Sequence, residues 1–219
     1  MKRLVIFDLD GTLVNTIEDL GGAANHVLSQ MGFPLHTTEE YKKKVGNGIN
    51  KLLLRSLPED IQDKESYLEK MRALFIPYYD AHNTDLSRPY EGIQDLLWEL
   101  QSKGYMLSVA SNKYISATRK VVSTYFPGIR FTEVLGQREG IPTKPDTRIV
   151  KDILSSSNAR PEETLYVGDT MVDAQTAMNS GIDFCAVSWG FRPEAELMTA
   201  HPLFIVRHPR EILEHLERL

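Results

Sequence analysis

Six short apolar runs, each about the length of a β-strand, alternate along this chain with segments of helical periodicity. The runs are Leu4–Phe7, Met106–Ala110, Phe131–Leu135, Thr164–Val167, Phe184–Val187 and Leu203–Val206. Most of them contain β-branched or aromatic side chains, which favour strands. Strands that are nearly continuous in apolar content and alternate with helices are typical of a parallel sheet covered on both faces. The sequence therefore predicts an α/β fold.

Residues 16–88 break this alternation. Three stripes of apolar residues at helical spacing begin at Ile17, Ile49 and Leu68, and no convincing strand lies among them. The alternation of strands and helices resumes after Tyr90-Glu91-Gly92. We therefore predict an α/β core made of residues 1–15 and 89–219, with residues 16–88 inserted as a helical domain.

Charge and cysteine content exclude several classes of protein. Among 219 residues, 25 are Lys or Arg and 30 are Asp or Glu, which gives a net charge of −5. This balance lacks the positive field that favours nucleic acids or anionic membranes, so an anionic substrate needs local groups or a metal. A single cysteine excludes an intrachain disulfide and a multi-cysteine zinc site. No apolar stretch approaches transmembrane length, and we expect a cytoplasmic protein.

The first apolar run leads directly into Asp8-Leu9-Asp10-Gly11-Thr12. In a parallel sheet, ligands bind beyond the carboxyl ends of the strands, so this position indicates a site. Strand alternation places the carboxylates of Asp8 and Asp10 on the same side. Two carboxylates so close repel each other unless a cation lies between them, and hard oxygen ligands suit Mg²⁺. Taken alone, the segment is also compatible with a solvated strand end and a turn glycine.

Further polar residues lie where predicted strands end or a predicted helix begins. Asp169 follows a strand, and Asp173 lies four residues later, where it can share a helix face or cap a helix. Ser111 follows another strand and can hold a phosphate oxygen or cap a helix. Lys144 precedes a helix and offers a point positive charge or a solvated surface group.

Together and in this order, these segments resemble the aspartate-based phosphatases of the haloacid dehalogenase superfamily. The resemblance covers essentially the whole chain and implies a Rossmann-like core, with the helical insert in the place of that family's cap. It is closest to the phosphoglycolate-phosphatase-like branch, through Val45–Gly48, Ser111–Lys113 and Trp189–Pro193. One departure is Asn15, where many relatives carry an aspartate, and this difference is expected to alter the hinge into the cap rather than any catalytic step.

The resemblance implies roles for four core residues. Asp8 is expected to attack phosphorus and form an aspartyl-phosphate. Asp10 is expected to protonate the leaving alkoxide and later to deprotonate the attacking water. Ser111 and Lys144 are expected to hold the non-bridging phosphate oxygens.

The resemblance also implies a metal and a substrate contact. Mg²⁺ is expected on the Asp8 carboxylate, the Asp10 backbone carbonyl and Asp169. Asp173 is expected to orient the Lys144 ammonium or a metal-bound water.

For the substrate, a small phosphorylated metabolite resembling phosphoglycolate, the expected contacts come from the cap loop and the end of one core strand. These residues are Gly46, Asn47, Gly48 and Asn112. The first amides of the cap helix that follows carry a partial positive charge.

Other functions on the same core stay open. A dehalogenase should lack the Asp10 acid and the metal-binding acids, which are present here. A sugar-phosphate mutase or a pyrophosphatase remains an alternative, because the core alone does not decide whether water or a sugar hydroxyl accepts the phosphoryl group. A non-catalytic phosphate-binding protein would be expected to have lost the nucleophile or a metal acid. No nucleic acid or membrane partner is expected, and both a monomer and a homodimer are compatible with the sequence.

Overall fold

A computed structural model describes all 219 residues. Its strands are β1 (Leu4–Phe7), β2 (Val14–Asn15), β3 (Arg88–Pro89), β4 (Met106–Tyr114), β5 (Phe131–Gln137), β6 (Thr164–Gly168), β7 (Asp183–Val187) and β8 (Phe204–Val206). Six of them form one sheet in the order β5-β4-β1-β6-β7-β8, and every pair in it is parallel. All six predicted runs are strands of this sheet, so the α/β prediction is confirmed.

Ten α-helices connect and cover the strands. They are α1 (Ile17–Gln30), α2 (Thr38–Lys44), α3 (Gly48–Ser56), α4 (Glu65–His82), α5 (Ile93–Ser102), α6 (Ile115–Tyr125), α7 (Arg148–Ser157), α8 (Met171–Asn179), α9 (Glu194–Met198) and α10 (Pro209–Leu216). A 3-10 helix spans Pro161–Glu163. No helix combines the length and the apolar character that crossing a membrane requires.

The central strand shows why the sheet is buried on both faces. Val5 and Phe7 pack into a core cluster with α5 and α10, whereas Leu4 and Ile6 pack into a second cluster with α7 and α8. All four side chains are fully buried. Because successive side chains of a strand point to opposite faces, a continuous apolar run requires helices on both sides.

Helices α1 to α4 form a separate apolar cluster that also contacts Phe191 of the core. Three of these helices match the predicted stripes, but α2 was not predicted. Only Tyr41 of α2 is buried, so this helix carries no apolar stripe. Its sequence signal is instead a capping box, in which the Thr37 hydroxyl accepts a hydrogen bond from the Glu40 amide and the Glu40 carboxylate accepts one from the Thr37 amide.

The two ends of the helical segment lie side by side. Strands β2 and β3 pair antiparallel, with Asn15 opposite Arg88. The buried Asp19 carboxylate also accepts hydrogen bonds from the Ser87 amide (2.8 Å) and the Ser87 hydroxyl (2.6 Å). The chain therefore leaves and re-enters the sheet region at one place, while the division at residues 16 and 88 stays a prediction.

Strand β1 lies between β4 and β6, so the order of connections reverses on either side of it. Ligands of such sheets bind in the crevice at this reversal, beyond the carboxyl ends of the strands. The segments after β1 and β6 and the end of β4 hold most of the candidate residues, which the sheet therefore brings to one edge.

Candidate active site

A tight turn beyond β1 brings two strand ends together. The Asp8 amide donates to the Val167 carbonyl of β6 (2.9 Å), which extends the sheet pairing by one residue. Gly11 follows with φ +89°, a conformation that L side chains rarely adopt. A Cβ atom at Gly11 would also overlap the Asp169 carboxylate. Glycine at this position therefore allows the turn to pass directly over Asp169.

Lys144 is buried beside Asp8 and contacts several groups at once. Its ammonium group contacts Asp8 Oδ1 (2.9 Å) and Asp173 Oδ1 (2.7 Å), and it donates to the Ala110 carbonyl (2.9 Å). Burial by itself would lower the pKa of Lys144, but Asp173 and Asp8 outweigh that effect and raise it well above the ordinary value. The lysine is therefore charged and directly attached to the aspartate expected to attack phosphorus.

Asp10 is held in a matching way on the other side of the turn. Its Oδ1 accepts a hydrogen bond from the Thr16 hydroxyl (2.6 Å) and lies 2.9 Å from Lys113 Nζ. The structure gives Oδ2 of Asp10 no partner, and the same is true of Oδ2 of Asp8. Each of the two aspartates thus has one oxygen anchored by a lysine and one oxygen free.

Asp169 is buried next to the turn that carries Asp8 and Asp10. Its Oδ1 accepts from the Thr12 hydroxyl (3.0 Å) and its Oδ2 from the Phe191 amide (2.7 Å). Burial, followed by the negative charge of Asp173, raises the pKa of Asp169 to about 7. Burial and Asp173 likewise raise the pKa of Asp8 well above its ordinary value. Both shifts show negative charge crowded into a dry site.

This crowding fits a divalent cation. Oxygen atoms of Asp8, Asp169 and Asp173 lie within 4.8 Å of one another, and all three residues are buried. With Asp10, four carboxylates face only two ammonium groups, which leaves two negative charges without a partner. Hard carboxylate oxygens are the ligands that Mg²⁺ and similar cations take.

The hydrogen bonds separate the three buried acids by task. Asp173 accepts from Lys144, from the Tyr166 hydroxyl and twice from Thr170, so its lone pairs are occupied. Asp8 and Asp169 each keep free lone pairs. The backbone carbonyl of Asp10 has no donor either. Asp8, Asp169 and the Asp10 carbonyl are therefore the groups able to ligate a metal, and Asp173 orients Lys144.

Two neighbouring residues of β4 have different environments. Ser111 is buried, and its hydroxyl accepts from the Lys113 amide (3.1 Å) while its own proton has no acceptor. The amide of Asn112 donates to the carbonyls of Gly46 (3.0 Å) and Lys144 (3.2 Å) and accepts from the Lys144 amide (2.8 Å). Ser111 can therefore donate to a ligand, whereas the Asn112 amide joins the helical segment to the loop that carries Lys144.

The loop before α3 lies over the same crevice. Gly46 and Gly48 line a cavity together with Asp8 and Asp10, which follow β1, but Asn47 does not line it. Gly48 has φ +81°, and a Cβ atom there would be 3.1 Å from the Asn112 carbonyl oxygen. The absence of a side chain at Gly48 therefore lets the helical segment close against the core, and the substrate contact expected from the sequence stays a prediction.

Arg192 of the core forms a second contact with the helical segment. Its guanidinium donates to the carbonyl of Lys42 and to that of Val45 (3.0 Å), at the carboxyl end of α2. A cation at this end also interacts favourably with the helix dipole. The sequence pointed to Arg192 only as part of a family-like segment.

Lys113 is the other residue whose position the sequence did not reveal. The available signal was a lysine near the end of a strand that is buried along most of its length, because such a strand has no place for an unpaired charge. Thr12 and Thr16, which hold Asp169 and Asp10, carried no such signal.

Comparisons with known proteins agree with this geometry. The family model described as haloacid dehalogenase-like hydrolase matches residues 5–187. A phosphoglycolate phosphatase of Cereibacter sphaeroides is 31% identical over 218 residues, which covers 98% of both chains. A phosphoglycolate phosphatase of Vibrio parahaemolyticus is 27% identical over 97% of this chain and 95% of its own.

Solved structures show the same architecture. A candidate phosphoglycolate phosphatase from Lactobacillus delbrueckii subsp. bulgaricus superposes with a TM-score of 0.90 at 31% identity, over 98% of each chain. A haloacid dehalogenase-like hydrolase from Streptococcus pneumoniae gives a TM-score of 0.87 at 25% identity, also over 98% of each chain. The chain therefore belongs to the haloacid dehalogenase-like hydrolase family, and it is a phosphatase of that family.

Proposed function

We propose that this enzyme hydrolyses a small phosphate monoester resembling phosphoglycolate, with Mg²⁺ and through an aspartyl-phosphate. The observation that carries the proposal is the pair Asp8 and Asp10. Both line one cavity at the end of β1, and each has one carboxylate oxygen held by a lysine and the other free. One free oxygen suits attack on phosphorus, and the other suits proton transfer to the leaving group.

In the first half of the reaction, Oδ2 of Asp8 attacks phosphorus while Oδ1 stays bound to Lys144. The bond from phosphorus to the ester oxygen breaks, and Asp10 gives its proton to that oxygen, so the alcohol leaves neutral. Thr16 and Lys113 hold the other oxygen of Asp10, which fixes the direction of the acid. The products of this half are the aspartyl-phosphate and the free alcohol.

In the second half, Asp10 is ionised and takes a proton from water, which attacks phosphorus and releases inorganic phosphate from Asp8. Dividing the reaction in this way replaces one difficult step with two easier ones. The Ser111 hydroxyl, whose proton has no acceptor in the protein, donates to a phosphate oxygen, and the positive charge of Lys144 beside Asp8 stabilises the phosphoryl group throughout.

The groups that would hold Mg²⁺ are the carboxylates of Asp8 and Asp169 and the carbonyl of Asp10. When bound, the ion supplies positive charge that favours ionised Asp8 and balances the charge of the phosphoryl group. Asp173 keeps Lys144 in place from the far side, 2.7 Å from its ammonium.

The helical segment, residues 16–88, is proposed to act as a cap that limits the size of the leaving group. The cavity between it and the core has a volume of about 40 Å³. Sites for drug-sized ligands have several hundred Å³. A small leaving group fits this cavity better than a hexose does, which favours a phosphatase of small esters over a sugar-phosphate mutase. A cytoplasmic location stays a prediction.

The proposed function is tested by assaying the purified protein against 2-phosphoglycolate, other small phosphate monoesters, pyrophosphate and glucose 1-phosphate. Each assay is run with Mg²⁺ and with a chelator. We expect Mg²⁺-dependent release of phosphate, with 2-phosphoglycolate among the best substrates. Isomerisation of the hexose phosphate without release of phosphate would instead identify a mutase. Full activity in the presence of the chelator would contradict the proposed role of Mg²⁺.

We expect Asp10→Ala to affect substrates according to their leaving groups. The substitution keeps the backbone carbonyl but removes the proton donor. Hydrolysis of an alkyl phosphate should fall by about 10²- to 10⁴-fold, the usual contribution of general acid–base catalysis. Release of the phenol from an activated aryl phosphate should fall much less, because that leaving group departs without a proton. Pre-steady-state release of the phenol measures this step, and equal losses for both substrates would contradict the assigned role.

A further inference from the structure

The ammonium group of Lys113 has more hydrogen-bond donors than its contact with Asp10 uses. It lies at the end of β4, and its side chain is only 3% exposed. Its ammonium group contacts Asp10 Oδ1 (2.9 Å) and donates to the Tyr79 hydroxyl (2.6 Å). An ammonium group has three N–H donors. One N–H of Lys113 is therefore left without an acceptor in the protein.

Tyr79 reaches this point from the helical cap. It belongs to α4, is fully buried, and stacks on Phe75 with ring centroids 5.2 Å apart. Its hydroxyl oxygen accepts from Lys113, and its own proton has no acceptor in the protein. Burial, followed by the negative charge of Asp10, raises the pKa of Tyr79 well above its ordinary value, so the hydroxyl keeps this proton. A second free donor thus lies next to the first.

The other side chains in this part of the cavity wall are either apolar or already hydrogen-bonded within the protein. Five cap side chains in the wall are apolar: Leu20, Val45, Ile49, Leu52 and Phe75. The Tyr114 hydroxyl is turned to Asp80 (2.7 Å), and the Asn112 amide is engaged with the backbone. The free carboxylate oxygens beside these donors belong to Asp8 and Asp10, which use them in the reaction. An apolar cap wall with two converging donors suits a group that only accepts hydrogen bonds, and a carboxylate is such a group.

We propose that Lys113 and Tyr79 form the subsite that binds a carboxylate on the leaving group of the substrate. This inference rests on the proposed phosphatase function and adds the residues that select the substrate. It places recognition of the carboxylate on one core residue and one cap residue, so the subsite is complete only when the cap lies against the core. The charge of Lys113 is shared between Asp10 and the substrate, which keeps the carboxylate next to the acid.

The experiment compares 2-phosphoglycolate with ethyl phosphate, which has a similar length but no carboxylate. In Tyr79→Phe the ring and its stacking on Phe75 remain, and only the hydroxyl is lost. We expect the ratio of kcat/KM for 2-phosphoglycolate to that for ethyl phosphate to fall about 10- to 100-fold, mainly through KM. This is the range for losing a hydrogen bond to a charged group.

Tyr41→Phe is the matched control. Tyr41 is also a buried cap tyrosine, but its hydroxyl donates to Asn25 (2.7 Å) and it does not line the cavity. The ratio should stay unchanged in this variant. Lys113→Met provides a second removal of the subsite should Tyr79→Phe fold poorly, and Lys113→Arg, which keeps the charge, should restore part of the ratio.

The outcomes separate the two proposals. A wild-type enzyme that hydrolyses both esters, with a ratio that neither Tyr79→Phe nor Lys113→Met changes, overturns the subsite and leaves the phosphatase function standing. A wild-type enzyme that hydrolyses no phosphate monoester overturns the proposed function and the subsite with it. A fall in the ratio in both variants, with the Tyr41→Phe control unchanged, supports the subsite.

Discussion

Replacing Asp8 with asparagine is expected to lower kcat by at least about 10⁴-fold, the scale on which enzymes lose rate when the nucleophile is removed. The substitution removes the free oxygen that attacks phosphorus and a carboxylate that would bind the metal. The fold should persist, because burial and Asp173 already disfavour the ionised form of Asp8 and a neutral side chain relieves that strain. Release of phosphate from 2-phosphoglycolate measures the loss, and circular dichroism measures the fold.

A suitable control is Asp183→Asn. Asp183 lies at the amino end of β7, away from the site, where it pairs with Lys2 (2.6 Å) and is half-exposed. This variant should keep nearly full activity. If Asp8→Asn retained activity near that of the wild type, the aspartyl-phosphate mechanism would have to be abandoned.

Removal of the metal should abolish turnover and also change how stability depends on pH. Without metal, Asp169 has a pKa of about 7 in the folded protein, whereas an unfolded aspartate has about 3.9. Between these values the folded state binds the proton and the unfolded state does not. The free energy of unfolding therefore falls as pH rises from about 4 to about 7, by up to about 1.4 kcal/mol per pH unit for this group.

Mg²⁺ binds the ionised carboxylate and should cancel this loss. We expect the difference in melting temperature between Mg²⁺-loaded and chelated protein to widen as pH rises from about 5 to about 7. Asp169→Ala should remove most of that difference and most of the activity, and Ca²⁺ should support activity poorly because its bonds are longer and its coordination number is higher. A stabilisation by Mg²⁺ that is unchanged by Asp169→Ala would place the metal elsewhere.

Much of the fold could be predicted because its signals are local. Each strand of the main sheet is a short apolar run, and each of the three predicted cap helices carries an apolar stripe. Helix α2 could not be found in this way, because it buries only Tyr41 and owes its start to the Thr37–Glu40 capping box. A helix stabilised by its ends rather than by one face leaves no periodic pattern to detect.

In the candidate site, too, the features that depend on neighbouring residues could be predicted and those that depend on distant segments could not. Asp8 and Asp10 could be found because they follow a strand directly, and Asp169 for the same reason. Their anchoring oxygens could not be found, because they depend on hydrogen bonds between distant segments, and the separate roles expected for Asp169 and Asp173 came from the family resemblance rather than from the residues themselves. Thr12 and Asp169, for example, are 157 positions apart.

By itself, then, the sequence determined the alternation of strands and helices, the helical insert and the acids at the strand ends, because hydrophobic periodicity and strand ends are properties of neighbouring residues. The tertiary structure alone decided how the cap meets the core. Lys113 reaches Tyr79 across 34 positions and Arg192 reaches Lys42 across 150, and both contacts exist only once the helical segment lies against the sheet. The same packing turned the Asn112 amide and Gly48 toward the contact between cap and core. Such contacts follow from the shapes of two packed surfaces, which no short stretch of sequence encodes.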